Sequence, residues 1–166
     1  MNAHKAALAG TFLFTILYPA IEAILSHVPN PVVPGGFIAF NMILPVLSGH
    51  FYGPKSGFMV GALGTLISAV IFNNHFAYAA MIPHAIMGGT AGVIGRYRSE
   101  IYSAFSIIMG HALNLLAFDL FHLMTFSSEK FYFILLGLMT ETMIDMVGII
   151  TIILTFNKRL YQTKRW

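Results

Sequence analysis

Apolar residues in this chain fall into long unbroken runs rather than into alternation or one-sided stripes. Six runs emerge, over residues 6–26, 37–52, 57–72, 79–95, 101–124 and 131–156. A hydrocarbon core about 30 Å thick is crossed by roughly 20 apolar residues in a helix, so each run predicts a transmembrane helix. Strict polar–apolar alternation, the mark of a membrane β-barrel, is missing. The second and third runs are short and are joined only by Tyr52-Gly53-Pro54-Lys55-Ser56. Gly-Pro is a turn signal, so the two are read as an antiparallel pair and not as one long helix. Connections are short and no repeat is visible. The expectation is an all-α integral membrane protein, with one six-helix transmembrane domain over residues 1–166.

Composition agrees with that pattern. Of 166 residues, 57% are hydrophobic and only 9% charged, and the mean hydropathy is +0.78. Soluble domains carry roughly a quarter charged residues, and a fold of this size cannot hide so much apolar surface from water. The absence of cysteine excludes thiol catalysis, thiolate metal sites and a disulfide scaffold. The first run is read as a span and not as a cleaved signal, because Pro19 and Glu22 interrupt it and no small-residue cleavage site follows.

Charge sets the orientation. With six spans and the N-terminus inside, Lys5, Lys55, Arg96, Arg98, Lys158, Arg159, Lys164 and Arg165 all fall on the cytoplasmic side, and only Lys130 lies outside. Basic residues are retained in the cytoplasm, so both termini are expected there. The formal net charge of +3 then reflects topology, and no basic run interleaved with aromatics points to nucleic acid.

Four acidic residues, Glu22, Asp119, Glu141 and Asp145, lie within the spans. A charge at bilayer depth costs roughly 2.5–3.5 kcal/mol on insertion scales, so each should face protein or water. At 100° per residue, His111, Asn114, Phe118, Asp119 and His122 are read as one stripe of the fifth span. Gly137, Glu141, Asp145 and Gly148 form a stripe on the sixth. Together with Glu22, Asn41 and His84, these groups converge on the outer half of the bundle, as an outward-facing solute pocket requires. The competing reading is structural: Asp119 could pair with His122, and Asp145 with His111 or a neighbouring hydroxyl. Gly57, Gly61 and Gly64, with Ala85, Gly88, Gly89, Gly92 and Gly95, suit close helix packing. The first outer loop holds three prolines followed by Gly35-Gly36, which fits either a stiff lid or a plain interfacial turn.

Motifs for metalloproteases, serine hydrolases and phosphate loops are missing. Without a nucleotide site, active uptake would need an energising partner. No cofactor and no resident metal is expected. Two rival readings stay open: an intramembrane metal-dependent enzyme built on His84, His111, His122 and Glu141, and a small channel or metal permease.

The segment Leu44-Pro45-Val46-Leu47-Ser48-Gly49-His50-Phe51-Tyr52-Gly53-Pro54-Lys55-Ser56-Gly57, followed by Gly61, resembles the second-to-third-span region of the substrate-binding S components of energy-coupling factor (ECF) transporters. Length, span number and the Gly-rich fourth span also match. The resemblance implies a multi-pass subunit of a prokaryotic plasma membrane that catalyses nothing. Such a subunit captures a vitamin or precursor outside and docks on a transmembrane coupling subunit driven by two ATPases. It implies a binding site among Asn30, Pro31, His84, Asn114, Asp119 and Glu141, and docking through an A-x-x-x-A motif that Ala3 and Ala7 satisfy and Gly10 extends. The metal-specific branch carries a histidine directly after the first methionine, where this chain has Asn2, which argues against nickel or cobalt cargo. Pocket carboxylates without a buried Lys or Arg point to a cationic or neutral heteroaromatic cargo, such as thiamine or its pyrimidine precursor.

Overall fold

A computed structural model describes residues 3–96, 100–124 and 128–163, with the side chains of residues 4–96, 101–124 and 131–156. The Ala3 side chain, Asn2, and the cations Arg98, Lys130, Lys158, Arg159, Lys164 and Arg165 lie outside the described side chains. Six helices form: α1 (Ala3–Leu25), α2 (Ile43–Tyr52), α3 (Pro54–Phe72), α4 (His75–Gly95), α5 (Ile101–Leu120) and α6 (Ser128–Thr163). Among the described residues the sole bridge outside helices pairs Pro29 with Phe37.

Five of the helices, α1 and α3 to α6, are long and apolar enough to cross a membrane. The sixth, α2, has 10 residues, about 15 Å of helix, or half of the hydrocarbon core. Here the structure departs from the helix expected over residues 37–52. A 3₁₀ turn at Phe40–Met42 leads into α2, and residues 26–39 form a folded loop instead. Prolines at 29, 31 and 34 and the left-handed Gly35 (φ +77°) keep the preceding segment a loop, and Phe37 and Ile38 are held extended against it by the Pro29–Phe37 bridge and the Ile38 amide donating to the Val28 carbonyl at 3.0 Å. An apolar run alone does not distinguish a helix from a packed extended segment.

The remaining boundaries follow local chemistry. Gly53 (φ +96°) reverses the chain and Pro54 starts α3 at the position where a missing N–H costs nothing. The left-handed Asn73 ends α3, and Asn74 caps α4 by accepting the Phe76 and Ala77 amides at 3.0 and 3.3 Å. Within α3, one wide π turn spans Val60–Gly64.

The tightest packing joins α2, α3 and α4. A Cβ at Gly57 would lie 2.7 Å from the Gly49 Cα, and one at Gly61 would lie 2.5 Å from the His84 carbonyl carbon and 2.7 Å from the Ala85 nitrogen. Only glycine admits this approach, which seats α3 directly on the backbone that carries His84. A core of Met42, Val46, Met87, Ile107, Ile149 and Ile153 fills the centre. On α1, Leu8, Phe12, Ile16 and Ile24 are turned away from the bundle. Gly10 lies under the Tyr52 ring, and Ala7 is half-buried, its carbonyl accepting the Thr11 hydroxyl at 2.7 Å. Gly10 is thus packed against α2 within the chain.

Candidate functional site

A cavity of about 260 Å³ opens between α1, α3, α4, α5 and α6, beneath the loop of residues 26–39. It lies at the end of the bundle that also carries the Asn73-Asn74 turn. Its walls are largely apolar, with Phe37, Phe40, Phe76 and Phe118 around it, and Phe76 and Phe118 meet edge to face at 5.2 Å.

Of the residues expected from sequence, Glu22, Asn41, His84, His111, Asn114 and Glu141 stand in this wall. Glu22 leaves α1 half-buried, and one of its carboxylate oxygens accepts from Asn41 Nδ2 at 2.7 Å and from the Ser68 hydroxyl. His84 sits near the middle of α4, buried, where three elements reach it. Its Nδ1 lies 2.9 Å from both the Tyr18 and the Thr65 hydroxyls, and its Nε2 lies 3.0 Å from Asn114 Nδ2. An amide nitrogen only donates, so Nε2 accepts and the neutral ring carries its proton on Nδ1, facing the two hydroxyls. This network fixes the ring and leaves the Asn114 carbonyl oxygen without a partner.

On α6, a Glu141 oxygen accepts the Ala39 amide at 2.9 Å and so ties the loop to the helix. His111 and Asp145 are buried, and among the described residues neither ring nitrogen nor either carboxylate oxygen has a hydrogen-bond partner. The Asp145–His111 hydrogen bond considered from sequence is thus not made. One ligating atom each from His111, Glu141 and Asp145 lies within 4.8 Å of the others.

Two expected residues are not brought to the cavity. Asn30 is buried inside the loop and holds it together. Its carbonyl oxygen accepts the Val32 and Val33 amides at 3.0 and 3.2 Å, and its Nδ2 donates to the Gly137 carbonyl on α6 at 3.1 Å. Asp119 is exposed at the end of α5, roughly 100° round the helix from Phe118, and does not line the wall. The helix stops at Leu120, and His122 (φ +53°) is exposed beyond it. The stripe expected over 111–122 therefore ends at Phe118. The metal set His84, His111, His122 and Glu141 is not assembled either, because both His84 nitrogens are engaged and His122 lies outside.

Sequence reasoning passed over Tyr18, Thr65 and Ser68. Tyr18 stands one helical turn before Glu22 and so shares its face, a spacing that was available. Thr65 and Ser68 carried no signal, since such hydroxyls commonly bond back to their own helix.

A family model described as "ECF-type riboflavin transporter, S component" matches residues 7–162. No curated protein and no solved structure matches. The match bears out the resemblance to S components and sets the chain among multi-pass membrane proteins of vitamin uptake. It gives no support to thiamine as cargo, because the description names riboflavin. It does not favour the enzyme and channel readings.

Proposed function

We propose that this chain, which belongs to the family of ECF-type riboflavin transporter S components, captures a flat, riboflavin-like vitamin in the cavity under the 26–39 loop. The observation that carries the reading is convergence: six intramembrane polar residues from five segments of the chain meet in one cavity beneath an ordered cover. Aromatic side chains at Phe37, Phe40, Phe76 and Phe118 offer faces and edges for a ring system. Asn41, His84 and Asn114 stand in the same wall and give the ring system's edge its polar neighbours. A largely uncharged heteroaromatic fits this lining better than the cationic cargo expected from charge balance alone.

Asn30 then acts as a positioning residue that holds the cover, and Asp119 takes no part in binding. In the same reading, α2 and the loop before it make the second crossing together. That gives six crossings with the cavity on the outside and both termini in the cytoplasm, a topology supported by the basic residues gathered on one side. Uptake is driven by a transmembrane coupling subunit with two ATPases, since the chain holds no phosphate loop of its own. The start of α1, around Ala3 and Ala7, faces that subunit.

Riboflavin fluorescence gives the test. Purified chain in lipid nanodiscs should quench riboflavin stoichiometrically and ignore thiamine. His84→Ala should lose the quenching while keeping its helical circular dichroism. Tight thiamine binding with no response to riboflavin overturns the proposal.

A further inference from the structure

We propose that His111, Glu141 and Asp145 form a binding site for one divalent transition-metal cation at the floor of the cavity. His111 projects from α5 and the two carboxylates from successive turns of α6, and their ligating atoms come within 4.8 Å of one another. Ligands about 2.1 Å from a common ion lie roughly 3–4 Å apart, so small rotamer shifts close the set. All three side chains are more than nine-tenths buried, with exposures of 5%, 7% and 0%.

Their present bonding is incomplete. Both His111 nitrogens and both Asp145 oxygens lack partners. Unmet polar groups of this kind are costly in a protein interior and costlier at bilayer depth. None of the described cations, Lys5, Lys55 and Arg96, lines the cavity, and Lys55 and Arg96 lie at the Gly53-Pro54 turn. A divalent ion would balance the two carboxylates and engage the free imidazole at once.

The donor chemistry narrows the ion. One imidazole with two carboxylates and no thiolate suits first-row divalent metals such as zinc, manganese or iron, rather than copper(I) or calcium. His111 and Glu141 both contribute to the cavity wall, so the ion site borders the cavity. Because Glu141 also accepts the Ala39 amide, the ion is linked through one side chain to the loop that covers the cavity. The site rests on these three residues alone and is independent of which vitamin binds.

Zinc and cobalt(II) serve as probes. The full chain, stripped with EDTA and returned to nanodiscs, should take up one equivalent of zinc, gain thermal stability from it and develop cobalt ligand-field bands. Asp145→Asn should weaken zinc binding by roughly 100-fold or more and abolish the stability gain. If that variant does not fold, His111→Gln read by the cobalt spectrum decides in its place. Failure of the stripped wild type to bind either ion overturns the proposal, and so does a folded variant that binds zinc as tightly as the wild type.

Discussion

Replacing Asn30 with alanine isolates what holds the cover over the cavity. The native side chain makes three hydrogen bonds: it accepts two loop amides, Val32 and Val33, and donates to Gly137 on α6. Alanine removes all three while leaving the Asn30 backbone bond to Gly36 at 2.8 Å in place. Each lost bond is worth about 0.5–1.5 kcal/mol net, and the exposed loop recovers part of that from water, so the closed loop should lose about 1–3 kcal/mol. At 1.4 kcal/mol per tenfold, opening becomes about 5–150 times more frequent. Amide hydrogen exchange by mass spectrometry over residues 30–39 should accelerate by that factor, while exchange in α4 stays as it was. Riboflavin release, followed by stopped-flow recovery of its fluorescence, should quicken in parallel. Asn30→Asp supplies the control, since it keeps the acceptor for Val32 and Val33 and loses only the bond to Gly137. Unchanged exchange in a folded Asn30→Ala variant would refute the reasoning.

Gly61→Ala places a methyl against the α4 backbone and should destabilise the protein by about 1–3 kcal/mol, seen as a lower thermal midpoint. Gly89→Ala, whose added methyl meets nothing nearer than 3.7 Å, should leave that midpoint alone. His84→Phe strands the Tyr18 and Thr65 hydroxyls and the Asn114 amide, so it should cost about 1–3 kcal/mol and weaken riboflavin binding by fluorescence titration. Asp119→Asn should keep riboflavin affinity within about twofold, as an exposed substitution outside the wall does.

Much of this architecture is readable in the chain because the bilayer leaves few options. Apolar runs of about twenty residues fold as helices here, and Gly53-Pro54 turns between α2 and α3. The glycines of α2, α3 and α4 announce their packing by spacing alone. Residues 37–39 were not legible as loop, since Phe-Ile-Ala reads as helix until Glu141 is found accepting the Ala39 amide from a hundred residues away. Asp119 misled because it neighbours Phe118 in sequence: at 100° per residue it stands about 80° round from His111, off the stripe, while His122 keeps the phase but lies beyond the helix end at Leu120. Asn30 was expected at the cavity from the resemblance to S components, yet its three side-chain bonds are spent on backbone. Polar residues deep in a span are thus informative about where they converge, whereas those near a helix end or in a loop are as often structural fasteners.

The shortness of α2 bears on the route a solute can follow. In the proposed topology half of the second crossing is irregular backbone, three of whose amides are met by Asn30 and Glu141. Swung sideways into acyl chains, those amides would lose their partners at several kcal/mol apiece, with no water to replace them. Displaced along the membrane normal, they meet water instead. That topology therefore favours an axial route to the cavity, through the aqueous face, over a lateral path between helices, because of the hydrogen-bonding needs of one short stretch of main chain.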